Sequence, residues 1–212
     1  MGKVYSHTSK LYHRKSQKNG AYWYSYELVN NIIPSVKTSR PWVTIKLDKF
    51  CVDRAIYFIH NNMEPESYRF LKKYKDVIAV VGVPYMVDLI RPYCAHVIYL
   101  PLSVDIDFIK KFKARKTKLV CYAGRRHKLN YGVIDPRAEL LCDLPREELL
   151  TKMARFRYVY AVGRVAIEAK ILGCEIVPYD PRYPDTSLWG IVSNKMAAAN
   201  LQAQLNKIDH KA

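Results

Sequence analysis

Residues 158–185 read YVYAVGRVAIEAKILGCEIVPYDPRYPD. The opening YVYAV is apolar, aromatic and β-branched, the pattern of a strand buried on both faces. Gly163 and Arg164 interrupt it. From Val165 the apolar residues recur at helical spacing, with Glu168 as the one acid among them, and Gly173 stops the helix. CEIVPYD then reads as a second strand that ends among prolines. A strand, a helix and a strand in this order form a parallel unit, because the helix carries the chain back to the edge it started from.

The same alternation runs outward in both directions. Towards the amino terminus, KLVCYAG and AELLCDL read as strands and PREELLTKMARF as a helix with proline in its first turn and acids just after it. Further back, WVTIKL, RAIYFIHNN, DVIAVVGVP and AHVIYLPLSVD read as strands. AYWYSYELVNNII (21–33, ended by Pro34), PESYRFLKKY and YMVDLIRPY read as helices between them. DFIKKFKARKTK is a basic helix and linker, and DTSLWGIVSNKMAAANLQAQLNKI a terminal helix. The expectation is an α/β protein of two parallel-sheet halves: residues 1–105, residues 106–195 and a closing helix over 196–212, with a charged joint near 106–118.

The 212 residues are 50% hydrophobic and 12% aromatic, enough for a packed core, which excludes a disordered chain. Thirty-five basic residues stand against 19 acidic ones, a formal charge of +16. Such a balance points to anionic partners: nucleic acid, an anionic membrane surface or small phosphorylated ligands. The cations cluster in SKLYHRKSQKNG, KKFKARKTK and GRRHK, and the run 110–118 reads as a solvated linker. Tyr5, Tyr12, Tyr22, Trp23 and Tyr24 place aromatic surfaces near the first cluster. Cysteines 51, 94, 121, 142 and 174 show no CxxC or zinc spacing and read as small core residues of a reduced, cytoplasmic protein. The first residues lack the apolar stretch of a signal peptide, and no apolar run reaches the length of a membrane-spanning helix.

In parallel α/β sheets ligands bind beyond the carboxyl ends of the strands. The residues standing there are His60, Asn61 and Asn62, then Gly82, Ser103 and Asp105, then Gly124, Arg125 and Lys128, then Gly163 and Arg164, and last Tyr179 and Asp180. In the second half these are glycines and cations at strand-to-helix turns, where free N–H groups and a helix dipole suit a phosphate. Arginine adds a bidentate fork and lysine a point charge. Glu168, on the helix that follows, suits a ribose diol. The pattern describes a site for a nucleoside diphosphate.

The stretch YVYAVGRVAIEAKILGCEIVPYD resembles the nucleotide-sugar motif of GT-B glycosyltransferases (group 1-like), with Glu168-Ala169, Gly173 and the strand CEIVPYD as the matching parts. LVCYAGRRHK is similar to that family's segment whose Arg and Lys hold the donor diphosphate. VIYLPLSVDIDFI resembles the end of its first domain, and KNGAYWYSYELVNNI its glycine loop and first helix. The sequence departs from the family at three points. Tyr160 stands where the first glutamate of the motif is expected, the spacing from Arg125 to Lys128 is short, and the chain is small.

The resemblance implies two Rossmann-like domains facing a central cleft and transfer of a sugar from a nucleoside-diphosphate sugar, with UDP as the expected nucleotide. This donor is a co-substrate; no metal or other cofactor is implied. Arg125 and Lys128 would stabilise the leaving diphosphate, aided by the turn at Gly163 and Arg164. Glu168 would hold the ribose, His60 would contact the donor sugar or the acceptor, and Gly20 and Gly124 would let backbone approach the donor closely. With a charge of +16, the expected acceptor is a hydroxymethylated pyrimidine in DNA, as in small bacteriophage enzymes working in the host cytoplasm. A lipid-linked or cell-wall saccharide at a membrane surface is the alternative acceptor. A non-catalytic nucleic-acid binder on the same scaffold is the alternative function.

Overall fold

The computed structural model describes residues 2–6, 20–44, 50–59, 65–181 and 190–210. The chain divides into two compact units, residues 1–103 with 192–212, and residues 104–191. It crosses from one to the other at the two-residue strands β6 (Ser103–Val104) and β11 (Val192–Ser193).

In the first unit β1 (Val4–Ser6), β2 (Trp42–Thr44), β3 (Ile56–Ile59), β4 (Ile78–Val81) and β5 (His96–Tyr99) lie side by side in chain order, every pairing parallel. All residues of β3 and β4 are buried, as their unbroken apolar runs require of a sheet covered on both faces. Side chains alternate across a strand. Trp42, Ile56, Phe58, Ile78, Val80 and Ile98 therefore share one face, where they meet Tyr24, Leu28, Ile32 and Ile33 of the first helix. The indole of Trp42 stacks on Phe58 at 6.0 Å. On the other face Tyr57 meets Tyr68 and Phe70 edge-on.

Four helices differ from the expectation, among them α2 (Met86–Ile90), which tightens to a 3₁₀ turn over Arg91–Tyr93. The first is α1 (Gly20–Glu27), followed by a wide π turn over Leu28–Ile32 and a tight 3₁₀ turn over Ile33–Ser35. The Asn30 amide donates to the Tyr26 carbonyl at 2.8 Å, taking an acceptor of the α ladder and favouring the wider turn. Pro65–Lys73 is helical but 3₁₀, with Tyr68 and Leu71 as its buried residues. The terminal helix α6 (Asn194–Asp209) starts later than its sequence suggests, because the Ser193 hydroxyl caps it by accepting from the Met196 N–H at 3.2 Å. Its buried Ala197, Ala198, Leu201 and Leu205 complete the core of the first unit.

Arg40 ties that helix to the amino ends of the strands. It is 3% exposed and pairs with Asp209 at 2.9 Å and Asp76 at 3.0 Å. Its Nη1 also donates to the carbonyls of Arg54 and Asp76, both of which have positive φ. Arg40 thus holds two left-handed residues just ahead of β3 and β4. Truncating it strands these carbonyls, while the half-exposed acids turn to water. Arg40→Ala is expected to cost about 2 kcal/mol in urea denaturation, and a loss under about 0.5 kcal/mol would show that the clamp contributes little.

The second unit holds β7 (Lys118–Gly124), β8 (Glu139–Cys142), β9 (Phe156–Tyr160) and β10 (Glu175–Val177), all parallel, in the order β10-β9-β7-β8. Between them run α3 (Ile106–Lys110) before β7, α4 (Arg146–Met153) and α5 (Arg164–Ile171). α5 packs against both α3 and α4, so the three helices share one face of the sheet, over the buried Cys121, Ala123, Leu141, Val159 and Ala161. The other face receives the short connection from β7 to β8, which contains a 3₁₀ turn at Arg126–Tyr131. A right-handed crossover in the reversed direction belongs on that side. Gly173 has φ +80°, and the N–H groups of Gly173 and Cys174 return to the carbonyls of Lys170 and Ala169, closing α5 as its sequence predicts.

The run 110–118 is more than a linker. The Lys116 ammonium donates to the carbonyls of Ala154 and Leu172, at 2.9 and 3.0 Å, where α4 and α5 end. Both sheets are therefore parallel and helix-covered, and the run between them is built into the second unit. No cysteine is bridged, and burial pushes the Cys51 thiol up to about 12. Among the described residues no helix is long and apolar enough to cross a membrane.

Candidate functional site

Strand order locates the place where a ligand can sit. In the first unit the strands follow one another without reversal. In the second, the chain steps from β7 outward to β8, then leaps back past β7 to β9 and continues to β10. The connections from β7 and from β9 therefore part in opposite directions, and the carboxyl ends of those two strands are where an open parallel sheet of this order holds a ligand. Tyr122 of β7 and Tyr160 of β9 are register partners, so the two ends lie level. Neighbouring strands are ~4.8 Å apart.

Each exit carries a glycine and an arginine. β7 ends on Gly124 and is followed by Arg125 and, on the 3₁₀ turn, Lys128; after β9 come Gly163, Arg164 and, one turn into α5, Glu168. The structure thus brings six of the residues singled out in the sequence to one edge of one sheet. Gly20, the first residue of α1, belongs to the other unit. His60 lies outside the described residues, as do Asn61 and Asn62.

The β7 exit is a rigid turn. The buried Tyr122 hydroxyl donates to the Arg125 carbonyl at 2.7 Å, and the Lys128 N–H donates to the same oxygen at 2.9 Å. Gly124 is a glycine for this reason: a Cβ there would stand 2.8 Å from the Tyr122 hydroxyl. Burial, then a hydrogen bond with Tyr179, push the Tyr122 pKa up, so the phenol stays a donor. The neighbouring exit is tied in by Asp143, whose N–H donates to the Gly124 carbonyl and whose carboxylate accepts from the Arg126 N–H. Asp143 has φ +54°, a conformation aspartate tolerates. The Arg125 backbone is therefore fixed, while its half-buried guanidinium makes no hydrogen bond or ion pair among the described residues.

The β9 exit turns on Gly163, at φ +60° and ψ −134°, a region open to glycine and costly to other residues. Among the described residues, its chain neighbours apart, no atom lies within 4 Å of where its Cβ would be, so it is the backbone angle that demands glycine. Arg164 then opens α5, and its Nε donates to Glu168 Oε1 one turn on, at 3.0 Å. Arg146, the first residue of α4, donates to the same oxygen from Nε at 3.2 Å and lies 3.1 Å from it through Nη2. Its guanidinium also lies over the Phe108 ring at 5.1 Å. The three side chains are 10%, 10% and 4% exposed. All these contacts fall on Oε1, and Glu168 Oε2 accepts no hydrogen bond among the described residues.

Both arginines occupy the first position of an eight-residue helix, the end where a cation is disfavoured by the dipole. Glu168 offsets that cost. Two helix amino termini meet this edge with Arg125, Arg126, Lys128, Arg146 and Arg164; of the acids there, Asp143, Glu147, Glu148, Glu168 and Asp180, Glu168 is engaged by the two arginines and Glu148 by Lys152. Such an edge suits a polyphosphate.

Comparison of the chain with protein-family models, with curated proteins and with solved structures finds no match. The site is therefore read from its own geometry.

Tyr160 and Tyr179 are singled out in the sequence, but not the aromatic group they form with Tyr122 beneath the site. Tyr179, 8% exposed, stands edge-on to Tyr122 at 5.6 Å and to Tyr160 at 6.3 Å. Gly132 lies so close to the Tyr179 carbonyl that a Cβ would overlap it, so the β7–β8 connection is laid on the backbone that leaves β10. Tyr160 packs here as part of this group. Arg146 also went unseen. Its one sequence signal is a cation at the first helical position, after Pro145, where an acid is preferred.

Proposed function

We propose that this chain is a glycosyltransferase that moves a sugar from a nucleoside-diphosphate sugar to an acceptor, with the donor diphosphate at the carboxyl edge of the second unit. One observation carries the reading: the reversal of strand order falls between the two strands whose exits carry Gly124-Arg125 and Gly163-Arg164. In the reaction the bond between the sugar's anomeric carbon and the diphosphate oxygen breaks. The acceptor oxygen forms the new bond and gives up its proton. Charge builds on the departing diphosphate, and preorganised cations stabilise it as it forms. Arg125 and Lys128 take that role, with the α5 amino terminus and Arg164 beside them. Glu168, anchored through Oε1, offers Oε2 to the ribose hydroxyls.

The acceptor we propose is a modified pyrimidine in DNA, flipped from the duplex, on the ground of the charge of +16. The test is a mass-spectrometric screen of UDP- and other nucleotide sugars against hydroxymethylated DNA and lipid-linked saccharides, run beside melting curves with the free nucleotides. The expected result is a rise in melting temperature with one nucleoside diphosphate and a hexose or pentose mass added to DNA. A chain that binds DNA but ignores every nucleotide is a non-catalytic binder and ends the proposal. A product on the lipid acceptor alone ends its DNA part.

A further inference from the structure

We propose that the amino-terminal margin of the second unit is a docking ridge for the phosphate backbone of duplex DNA, formed by Lys110, Lys111, Lys113, Arg115 and Arg155. It lies at the opposite end of the sheet from the candidate donor site. It rests on the DNA part of the function proposed above and is independent of the donor part.

The ridge is held in shape by backbone bonds. The N–H groups of Lys111, Phe112 and Lys113 return to the carbonyls of Phe108, Ile109 and Lys110. Thr117 and Lys118 both donate to the Arg155 carbonyl, at 2.9 and 3.0 Å, which sets Arg155 beside the stretch that enters β7. Lys116, clamped on the ends of α4 and α5, pins the stretch from below.

Charge pairing separates these five residues from their neighbours. Around them Lys118 pairs with Glu139 at 2.6 Å, Lys152 with Glu148 at 2.7 Å and Arg157 with Glu175 at 3.3 Å. Lys110, Lys111, Lys113, Arg115 and Arg155 are all exposed, and none pairs with an acid among the described residues. Asp107 stands three and four residues before Lys110 and Lys111, the spacing of a helical ion pair, yet pairs with neither. Asp105 is engaged in capping the Phe108 N–H at 2.9 Å. Unmatched cations on a fixed backbone repel one another, and an external polyanion relieves that repulsion.

The apolar residues of the segment decide between polyanions. Ile109 is buried, and Phe112 is half-buried against Phe108 at 5.3 Å. A segment that settles into a membrane surface presents its apolar side chains outward beside the cations. Here they point in, and among the described residues only Leu119 is exposed next to the ridge as a large apolar side chain. The ridge itself offers no exposed aromatic ring for stacking a single-stranded base. What remains is contact with backbone phosphates, which is sequence-independent and salt-sensitive.

The test is fluorescence-anisotropy titration of an unmodified DNA duplex over a range of salt, with wild type and with the Lys111→Ala, Lys113→Ala, Arg115→Ala triple variant. The expected result is a fall in the log–log salt slope by about 3 and a loss of affinity of about tenfold or more at low salt. A charge-keeping triple variant (Lys111→Arg, Lys113→Arg, Arg115→Lys) should bind as wild type does. The UDP-induced rise in melting temperature should survive in both variants, so failure of the ridge and failure of the donor site read out separately. An unchanged slope and affinity in the alanine variant would overturn the ridge. So would binding to phosphatidylserine vesicles, but not to duplex, that the alanine variant loses.

Discussion

Replacing Arg125 by alanine is expected to slow the proposed sugar transfer by about two to three orders of magnitude, the cost of removing one preorganised donor from a developing oxyanion. Affinity for the free nucleoside diphosphate should fall by about 10- to 100-fold, as for a charge-assisted hydrogen bond to phosphate. The stability of the protein should barely move. The Arg125 side chain makes no hydrogen bond or ion pair among the described residues, and its backbone is held by Tyr122 and Lys128 through atoms that alanine keeps. Little of the fold therefore depends on the guanidinium, and a surface-type change of this kind stays within about 0.5 kcal/mol. Arg125→Lys keeps the charge and loses the bidentate fork, so it should fall between the two. Calorimetric titration with UDP and steady-state turnover measure both effects. Equal affinity in wild type and Arg125→Ala would remove the diphosphate from this edge of the sheet.

The sequence made the second unit legible for reasons its residues show. β7 has the bounds that KLVCYAG suggests, and α5 begins at Arg164 and closes at Gly173 as its pattern requires. Both segments carry strong punctuation: an unbroken apolar run, then glycine, then a cation or a helical spacing. Two of the helices that came out differently carry a side-chain hydrogen bond at the point of change. The Asn30 amide widened the first helix, and the Ser193 hydroxyl moved the start of the last one. Periodicity is blind to both.

The site shows the same division. Glycines 124 and 163 stand out in sequence, but for different reasons that only coordinates separate, one steric and one a matter of φ. Arg146 is 22 residues from Glu168 in sequence, and no local pattern links them. The reversal of strand order that marks the candidate site is likewise invisible locally, because every strand–helix unit looks alike until the sheet is assembled. Lys116 shows the converse. A lysine inside a run of cations reads as solvated, and it caps two helices.

The arginine pair around Glu168 is where stability and binding meet, and substitutions there should separate them. Glu168→Ala leaves two guanidinium groups, each about one-tenth exposed, without the carboxylate they share. Breaking a buried ion pair by removing one partner costs about 3–5 kcal/mol. The loss should appear in urea denaturation, and in faster amide exchange along α4 and α5, whose first residues lose their anchor. Glu168→Gln keeps the shape and an acceptor oxygen and should cost less than Glu168→Ala. Arg146→Ala and Arg164→Ala each leave one partner on the carboxylate. Their effects should not add in the double variant, because both arginines act on one oxygen. Binding adds a readout that a purely structural carboxylate would not move. If Oε2 faces the ribose, Glu168→Gln should erase most of the preference for UDP over its 2′,3′-dideoxy analogue, while Arg125→Ala weakens both ligands alike. A folded Glu168→Gln protein with the wild-type preference would make Glu168 a clamp for two helix ends and nothing more, and the ribose would have to be held elsewhere.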